Sequence, residues 1–571
     1  VSAPRVVAAI DFGTHGSGFA WAVVNETNRD MTQREIFYFD NWDAQQVVYP
    51  KNLSALLLDK HGSLLDWGYR ARERMYLEDP GAGHQYMANY KMSLQQDMVA
   101  GTLVDDSHTM GPAEVSRLIE LCIRQVYDKA LEHIKAGGAY TEDDIAWCIT
   151  VPAIWDEFTK DLMRKAAITA GLPDDDERLK TALEPEAAAL YCIVKGQQEL
   201  TEPGCRFLVI DAGGGTVDIT SYQLEPGPRL SGLGAPTGDK AGSEYLNQFF
   251  ATDVLCDRLG AGFVTELRAQ FPRDYYDLMG SWDRAKRSVS AGSKRPITIP
   301  LPARAYAQAM LDGNALEQIK KRQDGVDTAI VIPADEVRLV FDKAVGAIID
   351  AVGEQIRRMR AASGVSRGEI AVLVGGFAES PYLRDRLREY LDGQGVQMHV
   401  PPRPSVAVLA GAAHFAFDPS VIRARRSPFT YGISTMSRFR KGIDPESKLY
   451  LDDDGDQWCN DRVAVLVTRD GAVATDECVT QSFGGPLREA STHAHFQIVA
   501  TKDKNPTYTT DPGVEAKASI TMPYGSAMSL PRHQRQTEAR LYFGDTRIRV
   551  EAENLYNGEV LKADIDWKPT W

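Results

Sequence analysis

Two short stretches constrain this chain more than anything else in its 571 residues. Residues 11–18 read DFGTHGSG and residues 211–218 read DAGGGTVD, each opening on an aspartate that follows an apolar run. Arg5–Ile10 and Phe19–Val24 read as strands around the first turn, and Arg206–Ile210 and Val217–Leu224 as strands around the second. One such stretch alone reads equally well as an ordinary glycine hairpin. Two at equivalent places in successive halves predict duplicated lobes with a cleft between them. Gly13, Gly16 and Gly18 in one turn, and Gly213, Gly214 and Gly215 in the other, let the backbone approach a ligand closely. Successive N–H groups exposed by such turns form an anion-binding concavity. Asp11 and Asp211 would stand at the two mouths, where they repel an anion unless a cation intervenes. Mg2+, which prefers oxygen ligands and keeps its waters, suits that place. Thr14 and Thr216 add hydroxyls at phosphate distance.

The rest of the chain fits around these turns. VLVGGFAESPYL at 372–383 reads as a buried strand, a Gly375-Gly376 turn and a helix opened by Ser380 with Pro381 at its first position. Its glycines allow close passage of a flat ring or ribose, or simply close packing of helix on strand. Pro112–Lys135 carries apolar residues at helical spacing and is closed by Gly137-Gly138. Short strands alternate with helices to about residue 420, the pattern of α/β lobes. Past about 427 the pattern becomes short alternating strands, among them Ala539–Phe543, Arg547–Ala552 and Val560–Trp567, separated by turn signals such as Gly544-Asp545 and Asn557-Gly558. A chain this long exceeds one hydrophobic core. The expected division is lobe I at 1–203, lobe II at 204–427 and a smaller β-rich domain at 428–571.

Composition excludes some partners. With 79 acidic and 64 basic residues the net charge is −15, which disfavours a broad nucleic-acid or anionic-membrane footprint. No apolar run approaches the roughly 20 residues a membrane helix needs. Seven scattered cysteines without a CxxC pair read as reduced thiols of a cytoplasmic protein rather than a zinc site.

At this point the motifs resemble a known superfamily. IDFGTHGSG, VIDAGGGTVD and LVGGFAESP look like the phosphate-1, phosphate-2 and adenosine motifs of the actin, hexokinase and DnaK superfamily. ITVPAIWDEFTKDLMRKAAITAGL at 149–172, LEPEAAALY at 183–191 and DRAKRSVS at 283–290 are similar to segments of its heat-shock 70 kDa chaperone branch. FGTHGSGFAW, NYKMSL, GGFAESP and RRSPFTYG resemble, within that branch, the atypical lid-less group labelled heat-shock 70 kDa protein 12. The fold this implies is α/β: a two-lobed actin-like, ribonuclease H-like ATPase with a β-rich C-terminal domain. The implied function is an ATP-binding, slowly ATP-hydrolysing, Mg2+-dependent chaperone-like switch, with K+ as a further cation.

The resemblance assigns roles residue by residue. Asp11, Asp211 and Asp218 match carboxylates around hydrated Mg2+. Glu184 matches the residue that orients or deprotonates the attacking water, and Lys91 the lysine that reaches the γ-phosphate; by itself Lys91 reads as a solvated helix lysine. Gly13, Thr14, His15, Gly213, Gly214, Gly215 and Thr216 match the phosphate turns. Asp283, Lys286, Arg287 and Ser290, with Gly375, Gly376, Phe377 and Glu379, match the adenosine site, and Pro152 a proline that relays nucleotide state. Departures are His15 for a second threonine, Lys160 for an arginine beside the relay proline, Glu379 for an arginine that stacks on adenine, and Ser405-Val406 for acidic residues. The stretch after 427 leaves room for a β domain and none for a full helical lid. Implied partners are ATP or ADP, an unfolded peptide or protein client, and cochaperones. A nucleotide-gated scaffold with little turnover and a small-molecule kinase are the competing readings.

Overall fold

A computed structural model of the chain describes residues 3–564 apart from 27–29, 78–82, 95–109, 196–199, 201, 228, 363–367, 476–477, 487–490, 532–533 and 544–547. The Gly544-Asp545 turn signal, Arg547 and residues 565–567 of the expected last strand lie outside the described residues.

The two halves of the first unit repeat one strand order. In one sheet Gly16–Val23, Val6–Phe12, Ile145–Val151 and Leu179–Leu183 are neighbours in that order; Phe37–Tyr38 and the short Asn52–Leu53 strand both pair with Gly16–Val23. In the other, Val217–Glu225, Arg206–Ala212, Glu369–Val374 and Gln397–His399 follow the same order. In each the hairpin strand is joined by two strands running parallel to it. Parallel strands buried on both faces need continuous apolar runs. VVAAIDF, IAWCITV and RFLVIDA supply them, and every residue of all three is buried. Asp11 and Asp211 are each the sixth residue of a seven-residue strand, so the duplicated pattern carries the two carboxylates to matching strand ends.

Helices complete the packing. Pro112–Ala136 starts on Pro at its first turn, ends at Gly137, and buries Val115, Leu118, Ile119, Cys122, Val126 and Ile134 at helical spacing against the first sheet. Glu184–Val194 and Ala407–Phe417 are buried along nearly their whole length, which their alanine-rich sequences permit. Pro381–Gln394 has the expected start: the Ser380 hydroxyl accepts a hydrogen bond from the Leu383 N–H, and Pro381 is the first helical residue.

The chain forms two compact units. The first runs to Trp155 and continues through Leu162–Ser221 and Thr237–Pro419; the second takes Asp156–Asp161, Tyr222–Pro236 and the chain from Ser420. Among the described residues no α-helix follows Phe417. The second unit holds a five-stranded sheet centred on Thr430–Arg438 and a four-stranded sheet of Cys478–Gly484, Gln536–Tyr542, Arg549–Asn554 and Val560–Asp564. Tyr431, Ile433, Phe483, Phe496, Leu541 and Val550 belong to one shared core. No helix among the described residues is long and apolar enough to cross a membrane.

Candidate functional site

The two glycine turns face each other in direct contact. A Cβ added to Gly215 would lie 2.6 Å from Thr14 Oγ1, and one added to Gly214 would lie 3.3 Å from His15 Cβ. Their carbonyls are held from outside. Ser54 donates from Oγ to Gly13 O (2.6 Å) and from N–H to His15 O (2.9 Å). On the other side, the N–H groups of Ser243 and Glu244 reach Gly213 O (3.1 Å) and Gly214 O (2.9 Å). The N–H groups of Thr14, His15, Gly214 and Gly215 have no acceptor among the described residues. Opposed donors of this kind are a ready anion site.

Behind the turns lies a buried charged cluster. Asp11 Oδ1 accepts from Thr150 Oγ1 (2.9 Å), and Asp11 Oδ2 is 2.6 Å from Lys51 Nζ. Lys91, only 5% exposed, donates to Phe12 O (2.7 Å) and Glu184 Oε1 (3.0 Å), with its ammonium 5.0 Å from the Trp155 ring centroid. Lys91 is therefore not a solvated helix lysine. Glu184 opens the helix Glu184–Val194. Asp218 Oδ1 accepts from the Ile154 N–H (2.9 Å), while its buried Oδ2 has no hydrogen-bond partner.

Burial and mutual repulsion dominate the acids. Burial pushes Glu184 upward, with Lys91 opposing and Asp11 and Asp218 reinforcing. Burial, then Glu184, Asp218 and Asp11, hold Asp211 well above the carboxylate range against Lys51. Asp218 is raised by burial, against hydrogen bonds from Ile154 and Thr216. Crowded acids raised in this way, one with an unpartnered oxygen, fit an added cation. Among the described residues no three His, Cys, Asp or Glu side chains are grouped to hold a metal ion directly. The fit is to a hydrated ion reached through water, the form Mg2+ favours.

A second network leads from the turns to the adenosine-type segments. His15 Nδ1 lies 2.9 Å from Glu244 Oε1, and Glu244 Oε2 accepts from Asn89 (3.1 Å) and Asn247 (2.8 Å). Burial alone would raise Glu244; His15, Lys286 and Asn247 overcome it and hold the carboxyl at about 2. Lys286 donates to Asn247 Oδ1 (2.8 Å) and Ser243 O (3.1 Å) and pairs with Asp283 (2.9 Å), which also binds Arg287 (2.8 Å). Burial lowers Arg287, but Asp283, Tyr49 and Glu379 more than compensate, so Glu379 lies within electrostatic reach of Arg287. Gly375 has φ +89°, and a Cβ there would overlap the Ala212 carbonyl and lie 2.6 Å from Asp211 Oδ1. Only glycine lets this turn pass so close to the Asp211 strand. Gly376 follows, then the short turn Phe377–Glu379 with Phe377 buried and Glu379 exposed. The Ser290 hydroxyl is 3.3 Å from that of Ser293, and Val289 O accepts from the Tyr382 N–H (3.0 Å). Lys160 pairs with Glu157 at 2.9 Å.

Two residues escape the sequence reading. Lys51 sits in an unremarkable YPKNLS stretch. Glu244 follows Gly242-Ser243, a Gly-Ser helix start about thirty residues after the second turn, which is the one local signal that could have marked it.

No protein-family model matches the chain. It is 28% identical to heat shock 70 kDa protein 12A of Mus musculus, a match covering 98% of this chain and 91% of that relative. Heat shock 70 kDa protein 12B of Homo sapiens matches with the same identity and coverage. The chaperone protein HscA homolog of Burkholderia mallei is 25% identical over 59% of this chain and 47% of its own length. By its motifs and by these matches, the chain is similar to heat-shock 70 kDa proteins, and to heat shock 70 kDa proteins 12A and 12B along nearly its whole length.

Proposed function

We propose that this chain is a Mg2+-dependent ATP-binding and ATP-hydrolysing chaperone-like protein of the cytoplasm, whose nucleotide state switches a C-terminal β domain. Two actin-like lobes, about 1–203 and 204–427, hold the nucleotide, and the domain at about 428–571 holds a peptide or protein client, with cochaperones as further partners. The observation that carries the reading is the pair of opposed turns with unpaired N–H groups in front of a buried carboxylate and lysine cluster. On it, Thr14, His15, Gly213, Gly214, Gly215 and Thr216 bind phosphate oxygens, and the segments around Asp283–Ser290 and Gly375–Glu379 hold adenosine.

Mg2+, with K+ as a further cation, would neutralise phosphate charge when bound, held through water by Asp11, Asp211 and Asp218. Glu184, its pKa raised by burial, suits a group that accepts a proton from the attacking water. Lys91 lies beside it with a fixed ammonium for charge developing on the γ-phosphate. One observation favours a nucleotide-gated scaffold with little turnover: Lys91, Lys51 and His15 are each already paired with a carboxylate.

Calorimetric titration of ATP and ADP with Mg2+ and with EDTA, alongside phosphate release, tests the proposal. Metal-linked binding of both nucleotides, weakened in Asp211→Asn, is the expected result. Binding with no turnover supports the scaffold, and no binding in either buffer removes the nucleotide reading.

A further inference from the structure

We propose that Lys51 is a built-in cation of the phosphate site, paired with Asp11 so that a divalent ion and this ammonium are alternatives at that carboxylate. The inference rests on the reading of the opposed turns as a phosphate site.

Both oxygens of Asp11 have a protein neighbour: Oδ1 accepts a hydrogen bond from the Thr150 hydroxyl at 2.9 Å, and Oδ2, which accepts no hydrogen bond, lies 2.6 Å from Lys51 Nζ as an ion pair. A divalent ion approaching Asp11 competes with the ammonium for the same negative charge and is repelled by it at close range. The neighbouring acid Asp218 differs in its charge partner: its buried Oδ2, like Asp11 Oδ2, accepts no hydrogen bond, but among the described residues no ammonium or guanidinium lies at ion-pair distance from it. The charge is therefore asymmetric, with an internal cation at Asp11 and none paired with Asp218 among the described residues.

Lys51 is also held in place. Asn52–Leu53 pairs with the strand after the first turn, Ser17 opposite Asn52 and Gly16 opposite Leu53. A Cβ on Gly18 would lie 2.5 Å from Pro50 O and 3.2 Å from Lys51 Cγ; one on Gly16 would lie 2.9 Å from Asn52 O and 3.3 Å from Lys51 Cβ. Two of the glycines in DFGTHGSG thus make room for the backbone and stem that deliver this lysine. Ser54, three residues on, fixes both Gly13 O and His15 O. A side chain seated in this way is pre-organised, so little ordering entropy opposes its pairing with Asp11.

The test uses the full chain in two measurements. First, Mn2+ alone is titrated into nucleotide-free protein, and free ion is followed by electron paramagnetic resonance. Lys51→Met should bind Mn2+ roughly tenfold or more tightly than the parent, because one like charge has left contact range. Lys51→Arg should not, since it keeps the charge. The double variant D11N/K51M leaves no unpaired charge at this position and should lose the gain, which separates the effect from misfolding. Equal Mn2+ affinity in the parent and Lys51→Met, or a gain that survives in the double variant, overturns the proposal. Second, ADP affinity is measured in EDTA. The parent should keep metal-free binding that Lys51→Met loses; an equal loss in Mg2+ and in EDTA would make Lys51 a structural residue and overturn the proposal. Failure of the parent to bind nucleotide in any buffer instead sinks the phosphate-site reading, which the Mn2+ comparison does not depend on.

Discussion

At the scale of single residues, two departures from the resembled pattern, His15 and Lys160, turn out to have carboxylate partners. His15, where the relatives' pattern has a threonine, meets Glu244 from the opposite side of the turns. Glu244 belongs to the helix start that supports the second turn, so the pair joins the two turns. The signs of the two shifts fix a pH window. The folded pKa of His15 is raised above 6.5: burial lowers it, but the Glu244 contact more than compensates. Its stabilising contribution is complete below 6.5 and is lost as pH rises through that raised value. Glu244 is lowered from 4.5 to about 2, so its contribution is complete above 4.5 and is lost as pH falls toward 2. The pair is fully effective between 4.5 and 6.5. Although neighbouring atoms crowd the ring, 46% of the His15 side chain remains open to solvent, so screening should keep the effect modest. His15→Gln keeps a neutral donor and removes the charge. Urea midpoints should show it less stable than the parent near pH 6 and nearly equal near pH 9. A gap of the same size at both pH values would show that the imidazolium plays no part. None of this was legible in the sequence, where His15 read only as a lost hydroxyl. Side-chain partners 229 positions apart leave no local trace.

Elements were far more legible, for a physical reason. Val6–Phe12 and Arg206–Ala212 are buried on both faces, so their composition alone marks them, and the glycine turns mark where they end. The helix Pro112–Ala136 follows its spacing almost to the residue. Less legible was how closely the elements approach. Glu184–Val194 and Ala407–Phe417 cross so tightly that a Cβ on Gly411 would overlap the backbone carbonyl of Ala187. Backbone cannot swing aside as a flexible side chain can, so Gly411→Ala must separate the helices. A loss of about 1–3 kcal/mol or more is expected, as for over-packed cores. It should also displace Glu184, which starts one of the two helices. The exposed Gly346, inside the helix Ala334–Ala361, has nothing within 4 Å of its added Cβ. Gly346→Ala should therefore stabilise by roughly 0.5–1 kcal/mol through helix propensity and a less flexible unfolded chain. Thermal unfolding of the two variants should shift in opposite directions. A parallel shift would mean that space around the glycine does not decide the outcome.

At the scale of the molecule, the sequence reading placed a change of character near 427 but missed two pieces. Asp156–Asp161 and Tyr222–Pro236 belong to the second unit although they are embedded in the sequence of the first. Each is flanked by elements of the first unit, so local pattern could not assign them; only long-range contacts do. Each unit has its own hydrophobic core. Two unfolding transitions are therefore expected by calorimetry, assignable by limited proteolysis near Ser420. A ligand that binds only the native first unit stabilises it by RT ln(1 + [L]/Kd), about 2.7 kcal/mol at a hundredfold excess over Kd. In a domain of this size that should raise its transition by a few °C. The second transition decides between the two readings of function. A switch requires the nucleotide to favour one state of the β domain over another, and a ligand shifts an equilibrium only by its differential affinity for the states. If that coupling exists, the second transition should move as well, and by different amounts with ADP and with ATP. If only the first moves, nucleotide binding stands and the switch falls, leaving a nucleotide-stabilised scaffold.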